Sequence, residues 1–166
     1  MSERAVKPVL LVTCRSGNTT LCMHEIGNVL FRLDPYVKVE PSKYPGLVMV
    51  FSNMDPLRAY RASSMREYGF VENIVPVICS FKGIPGKELL EQCIDKLRFE
   101  TSNIKIRVKA RGIRGVSTSI FREIKELLLL RGIRHDPGSN TCLYVEIVDE
   151  EIFIGLGYCH PVFKHS

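Results

Sequence analysis

The chain has 166 residues, of which 45% are hydrophobic and 25% are charged. This length and composition exclude a disordered chain, because enough apolar side chains are present to bury a core without a metal or a disulfide. No apolar run approaches the roughly 18 residues of a membrane span, and no export signal is visible, so we expect a cytoplasmic protein without membrane association.

The net charge of +5 has its origin in one short segment. Residues 105–114 contain five basic residues and no acidic one, while basic and acidic residues are balanced at 18 each in the rest of the chain. A cationic excess concentrated in this way indicates a local surface that binds a polyanion.

The first half of the chain predicts alternating strands and helices in the order strand, helix, strand, strand, helix, strand. Asp55, followed by Pro56, is typical of a helix start. The predicted strands are 8–14, 36–42, 46–52 and 70–81, and the predicted helices are 18–33 and 56–68. This order is the split βαβ pattern of a ferredoxin-like domain.

The second half predicts a helix, a basic strand, another helix and a hairpin. Ser117 is predicted to cap the second of these helices and Gly132 to end it in a left-handed conformation. The predicted helices are 85–99 and 117–131, the basic strand is 104–111, and the hairpin strands are 141–148 and 152–158.

Six cysteines are scattered along the chain without a Cys-x-x-Cys pair. They are Cys14, Cys22, Cys79, Cys93, Cys142 and Cys159. Most lie in apolar segments with strand or helix patterns, so we expect buried free thiols. Cys159, His160 and His165 are too few for a zinc site, which needs four well-spaced ligands, and we expect neither a metal nor a cofactor.

The basic strand carries a cation at every second position. Lys105, Arg107, Lys109 and Arg111 alternate with apolar residues, so all four should lie on one outward face. Neighbouring cations about 6.7 Å apart repel by roughly 0.6 kcal/mol even in water. Charges on an exposed strand also discourage edge-to-edge aggregation, but one or two lysines usually suffice for that. With Arg114 added and no acid nearby in sequence, the pattern favours nucleic-acid binding.

The turn after this strand also favours the binding of a nucleic acid. The segment GIRGVSTS (112–119) brings glycines, Arg114 and three hydroxyl groups to a helix start, where free amides attract phosphate; an ordinary helix capped by Ser117 is the alternative. Lys82 and Lys87 are further candidate phosphate contacts, although GIPGKE (83–88) lacks the spacing and the Ser or Thr of a P-loop. A cationic sheet without a projecting recognition helix suits folded RNA better than DNA.

Residues 70–158 resemble the THUMP domain, an RNA-binding module of tRNA-modifying proteins. The resemblance is carried by the basic strand ending in Arg111-Gly112, by the Ser-rich helix start, and by Val145-Glu146-Ile147 turning over Asp149 into Ile154-Gly155. One departure is Asp136-Pro137-Gly138, where many family members have Asn-Pro-Asp, so no contact of that Asn is carried over.

This resemblance implies a mixed α+β fold, with an N-terminal ferredoxin-like domain over 1–72 and a THUMP domain over 73–166. In the family the two domains together grip the acceptor end of tRNA, usually beside a catalytic domain. Because this chain ends eight residues after the hairpin, it is most similar to stand-alone THUMP proteins that assist an RNA cytidine N4-acetyltransferase at the tRNA D-arm. The resemblance therefore implies a non-catalytic tRNA-binding adaptor. An adaptor for a different tRNA modification is an alternative.

Two functions of other classes stay open. The first is a small phosphoryl-handling enzyme similar to an acylphosphatase. Acylphosphatases, which are also ferredoxin-like, bind phosphate with a glycine-rich turn followed by Phe-Arg, and this chain has Gly112, Gly115 and Phe121-Arg122. The Phe-Arg pair comes several residues late, inside the predicted helix, which would carry Arg122 away from the turn. The other possibility is a protein-interaction module that binds no RNA.

Overall fold

The computed structural model describes residues 7–164 and has a mixed α+β fold with two compact units. One unit contains residues 7–77 and 160–164, and the other is Ile78–Cys159. The predicted boundary at 72/73 falls inside a strand of the first unit, Val71–Pro76. Within residues 7–164, no helix has the length and apolar character needed to cross a membrane.

The first unit contains an antiparallel four-stranded sheet with two helices. Its elements are β1 (Lys7–Cys14), α1 (Thr19–Phe31), β2 (Lys38–Pro41), β3 (Leu47–Ser52), α2 (Pro56–Ser63) and β5 (Val71–Pro76), besides a parallel pair of short strands, β4 (Arg66–Tyr68) and β11 (Val162–Lys164). The strand order β2-β3-β1-β5 and the two helices give the predicted ferredoxin-like arrangement.

Helix α2 starts as predicted but ends earlier. The Asp55 side chain accepts the N–H of Leu57 at 3.0 Å, which confirms the predicted cap. The helix ends at Ser63 instead of residue 68, because Met65 takes a left-handed φ of 57° and the chain then pairs as β4. A sequence pattern that favours helix is overridden here by strand pairing with a segment far along the chain.

The second unit contains a five-stranded sheet and two helices. Its elements are β6 (Cys79–Lys82), α3 (Lys87–Lys96), β7 (Asn103–Arg111), α4 (Ser117–Leu129), β8 (Arg134–His135), β9 (Thr141–Val148) and β10 (Glu151–Tyr158), with strand order β6-β10-β9-β7-β8. The predicted basic strand and the predicted hairpin are confirmed, and Gly132 has the expected positive φ of 76°.

The segment 70–81, predicted as one strand, is two strands in different sheets. The backbone N–H of Val77 donates to Val9 in the first unit, and the next N–H, of Ile78, donates to Ile154 in the second, both at 2.9 Å. The chain therefore passes from one unit to the other between these two residues, and a continuous apolar pattern conceals the change of sheet.

The six cysteines form three disulfides, so the expectation of free thiols is wrong. The pairs are Cys14–Cys22, Cys79–Cys93 and Cys142–Cys159. The two cysteines of each pair are 8, 14 and 17 residues apart in sequence, and they meet only because the fold brings their segments together. Cys159 is thus no candidate metal ligand, His165 lies outside the described residues, and residues 7–164 contain no group of three or more potential metal-ligating His, Cys, Asp or Glu.

Glu25 on α1 ties the helix to the start of β5. Its carboxylate accepts the backbone N–H groups of Gly69 and Phe70 at 2.7 Å and of Val71 at 3.1 Å. A carboxylate that accepts several amides makes charge-assisted hydrogen bonds, which are stronger than neutral ones. This one side chain satisfies three consecutive donors that would otherwise be left without a partner in a half-buried turn.

Replacing Glu25 with Ala should destabilise the protein by about 2–4 kcal/mol, because three amides lose their charged acceptor. Urea denaturation at neutral pH measures this loss. The neighbouring exposed residue provides the control, since His24→Ala should change the midpoint little. Equal effects of the two substitutions would show that the carboxylate contributes nothing specific.

Candidate nucleic-acid interface

Strand β7 presents its four cations on the face opposite α3 and α4. Ile104 and Ile106 are buried in the core that these helices cover, and Val108 and Ala110 pack against it, so the cations that alternate with them point the other way. On this face Arg107 and Lys109 are exposed and Lys105 is half-buried. We call the four cations of β7, Lys105, Arg107, Lys109 and Arg111, the cation face.

Parallel pairing with β9 determines what lies beside each cation. Lys105 is in register with Cys142, Arg107 with Tyr144, Lys109 with Glu146, and Arg111 with Val148. Residues paired in this way point to the same side of the sheet. A tyrosine and a carboxylate therefore lie on the same side of the sheet as the cation face, and no pattern in the basic segment itself reveals either of them.

The guanidinium group of Arg107 lies over the ring of Tyr144. The distance from its central carbon to the ring centroid is 5.9 Å, within the range of a cation–π interaction. The Tyr144 hydroxyl donates to the carbonyl of Tyr158 at 2.6 Å, which holds the ring in place. Arg107 is thus oriented by the strand next to it while remaining exposed to solvent.

Arg111 lies on the cation face but is not exposed there, so the expected solvent-exposed cation is not found at this position. Its side chain is only 13% exposed, and its Nη1 lies 3.6 Å from Oε2 of Glu146, which is 7% exposed. That Nη1 is buried and makes no hydrogen bond of good geometry with any residue of 7–164. Because Glu146 is distant in sequence, a count of charges along β7 does not find this partner. Among the described residues, no ion pair engages Lys105, Arg107 or Lys109.

Burial raises the pKa of Glu146 above its ordinary value, because a buried carboxylate loses hydration. The charges of Arg111, Lys109 and Arg107 oppose this effect. Glu146 therefore couples to three of the four cations, and its charge subtracts from the positive potential of the cation face.

Lys82 lies on the same side of the sheet as the cation face. Lys82 is in register with Glu151, Glu151 with Val148, and Val148 with Arg111, which puts Lys82 roughly 14 Å from β7 at three strand spacings. It is exposed, so the structure groups this predicted residue with the β7 cations.

The turn between β7 and α4 is built as predicted, but Ser117 is not its cap. Gly112 and Gly115 have φ of 82° and 83°, and Arg114 between them is exposed. Ser117 is the first helical residue, Val116 occupies the cap position, and no side chain caps the helix. Since the first turn of α4 also contains no acidic residue, its amides offer a favourable position for an anion.

Lys87 is not part of the cation face, because it begins α3 on the opposite side of the sheet. It lines a groove of about 540 Å³ along α4, together with Ser119, Arg122 and Glu123. Arg122 is carried away from the glycine turn by the helix, as the sequence predicted. The predicted cations therefore divide into a sheet group and a helix group, and the sequence pattern alone did not separate them.

Several solved structures share this fold over most of the chain. TrmN from Thermus thermophilus has a TM-score of 0.65 and 17% identity, covering 90% of this chain and 45% of its own. PH1313 from Pyrococcus horikoshii Ot3 has a TM-score of 0.64 and 15% identity, covering 95% and 56%. A 4-thiouridine synthetase solved as an RNA complex with bound ATP has a TM-score of 0.56 and 13% identity, covering 95% and 43%.

These similarities confirm the predicted fold, a ferredoxin-like unit with a THUMP-like unit. The chain spans about half the length of these structures. No protein-family model and no curated protein matches the sequence.

The pKa of Glu146 should make stability depend on pH. Since the pKa is raised above 4.5 in the folded chain, the folded state binds the proton more tightly than the unfolded state. The resulting stabilisation is complete below the unfolded pKa and is lost as pH rises through the folded pKa. The wild type should therefore lose stability relative to Glu146→Gln as pH rises from about 4.5. The quantity to follow is the free energy of unfolding of the wild type minus that of the variant.

Urea denaturation at a series of pH values measures this difference. Glu151→Gln is the matched control, because Glu151 lies on the same side of the sheet but is exposed. A difference for Glu146→Gln that stays flat or increases with pH would contradict the assignment.

Proposed function

We propose that this protein binds tRNA through the cation face and presents it to a tRNA-modifying enzyme. The observation that carries the proposal is a row of three cations that form no ion pair with any residue of 7–164. They are Lys105, Arg107 and Lys109, held about 6.7 Å apart by the pleat of β7. The fold similarity to a synthetase solved with RNA supports RNA as the polyanion.

The shape of the surface favours contacts to the RNA backbone. Both helices of the second unit cover the other side of its sheet, so neither of them projects beside β7 on the cation face to enter a groove. Side chains that follow one strand can instead track phosphates, with Lys82 and Arg114 as outer contacts. Arg111 serves this surface indirectly, by neutralising Glu146 beneath the exposed cations.

We propose that the protein is not itself catalytic and that the enzyme it serves is an RNA cytidine acetyltransferase, which forms N4-acetylcytidine in the tRNA D-arm. Support comes from the sequence resemblance to the THUMP domain, carried by the basic strand and by the segment 145–155, because that family includes stand-alone proteins that assist this enzyme. Service to a different tRNA-modifying enzyme is the alternative, and it uses the same cation face.

The cytoplasm is the location that we propose for this activity. The three disulfides count against it, because disulfides persist in oxidising compartments and are rare in the cytosol. In a reducing compartment the six cysteines would be thiols, with the two sulfurs of each pair moved apart from bonding distance to van der Waals contact.

Replacing Arg107 and Lys109 together with Ala should weaken tRNA binding roughly tenfold near physiological salt, because two phosphate contacts are lost. The wild type, with four to five neutralised phosphates, should show a log-log salt slope of roughly −3 to −5, and the double variant a slope smaller by about 1.5–2. Fluorescence anisotropy with labelled tRNA at several salt concentrations measures both quantities.

The matched control is the double variant Lys96→Ala, Lys125→Ala. It removes the same charge from exposed helix positions of the same unit. If both double variants lower affinity and slope equally, binding follows net charge alone and the cation face has no special role.

The nature of the modification is tested in cells that lack the protein. Tandem mass spectrometry of tRNA nucleosides should show loss of N4-acetylcytidine, restored by the wild-type chain but only weakly by the Arg107→Ala, Lys109→Ala variant. Loss of a different modified nucleoside would support the adaptor role but would show that the partner is a different enzyme. An unchanged set of nucleosides would contradict the adaptor role.

A further inference from the structure

Strand β7 is flanked on its outer side over only part of its length. The short strand β8 pairs with Asn103 and Ile104 alone, whereas β9 pairs with the strand from Lys105 to Arg111. From Arg107 onward β7 is therefore the edge of its sheet within the described residues. An open edge offers backbone donors and acceptors to another extended chain.

The hydrogen-bond pattern identifies the groups on this edge. The carbonyl of Ile104 accepts from the N–H of Asp136 at 2.7 Å, and the N–H of Ile106 donates to Nδ1 of His135 at 3.0 Å, both on the outer side. In a parallel strand the backbone groups of alternate residues point the same way. The N–H and C=O groups of Val108 and Ala110 therefore point outward too, and no hydrogen bond of the described residues uses them.

The charges along the edge select what can pair with it. Exposed Arg107 and Lys109 lie on one side of the strand, while half-buried Val108 and Ala110 lie on the other. A second copy of β7 would place cations opposite cations and would be repelled. An incoming strand with acidic residues at alternate positions would instead place opposite charges across from each other.

We propose that the outer edge of β7 from Arg107 to Arg111 binds an extended acidic segment of a partner protein by strand addition. The backbone groups of Val108 and Ala110 supply the hydrogen bonds. Acidic side chains of the partner lie beside Arg107 and Lys109, and small apolar ones between them lie beside Val108 and Ala110. This binding goes beyond the proposed function, since it requires no RNA.

The probe is a blocked synthetic peptide of about seven residues in which Glu alternates with Val. Two control peptides separate strand addition from simple charge attraction. One has the same composition with all Glu residues grouped at one end, and the other has N-methyl groups on alternate backbone nitrogens, which removes the donors without changing the charge. The wild-type chain should bind the alternating peptide at least about tenfold more tightly than either control.

Substitution of Ala110 tests the edge itself. Ala110→Pro removes one outward N–H without removing a bond to β9, a change that edge strands tolerate. It should weaken peptide binding about tenfold, while Ala110→Ser, which keeps the N–H, should change it less than about twofold. Both variants should bind tRNA like the wild type, because they retain every cation, so a defect in peptide binding is distinguishable from a defect in RNA binding.

Hydrogen–deuterium exchange provides the direct readout. The amides of Val108 and Ala110 should exchange more slowly in the peptide complex, and those of α3 should be unaffected. Equal affinity for all three peptides would overturn the proposal, as would protection confined to α3 and α4. If Ala110→Pro fails to fold, the peptide comparison and the exchange experiment on the wild type decide the matter alone.

Discussion

The parallel pairing of β7 with β9 determines both the core of the second unit and the face that carries its charge. It places Ile104 and Ile106 in the core with the helices and leaves Lys105, Arg107 and Lys109 on the other side. A slip of one residue would exchange these two sets. Burying an isoleucine contributes about 1.5–3 kcal/mol, whereas repulsion between neighbouring cations costs roughly 0.6 kcal/mol in water, so the apolar residues hold the cations in an unfavourable row.

The same register explains why the four cations are not equivalent. Glu146, on β9, reaches Arg111, and the pair is nearly buried. Removing one partner of such a pair is costly, because the other charge stays buried alone. Arg111 thus has a structural role, whereas Arg107, which is oriented over Tyr144, and Lys109 are exposed and available to a ligand. The excess charge of the chain reaches solvent at fewer positions than its sequence suggests.

Local patterns in the sequence predict much of this fold, and long-range contacts account for the remainder. Alternation over 104–111, the hairpin over 141–158 and the Asp55-Pro56 helix start all depend on neighbouring residues, and all are confirmed. The end of α2, the partner of Arg111 and the three disulfides depend on contacts between distant segments. The change of sheet at Val77 is hidden for the same reason.

The most direct test of the account is the chemical reactivity of individual lysines with and without tRNA. Acetylation rates measured by mass spectrometry distinguish Lys105, Lys109 and Lys82, on one side of the sheet, from Lys96 and Lys125 on the helices. Bound tRNA should protect Lys105 and Lys109 most strongly, protect Lys82 less, and leave Lys96 and Lys125 unchanged. Protection of the helix lysines with unchanged reactivity along β7 would contradict it.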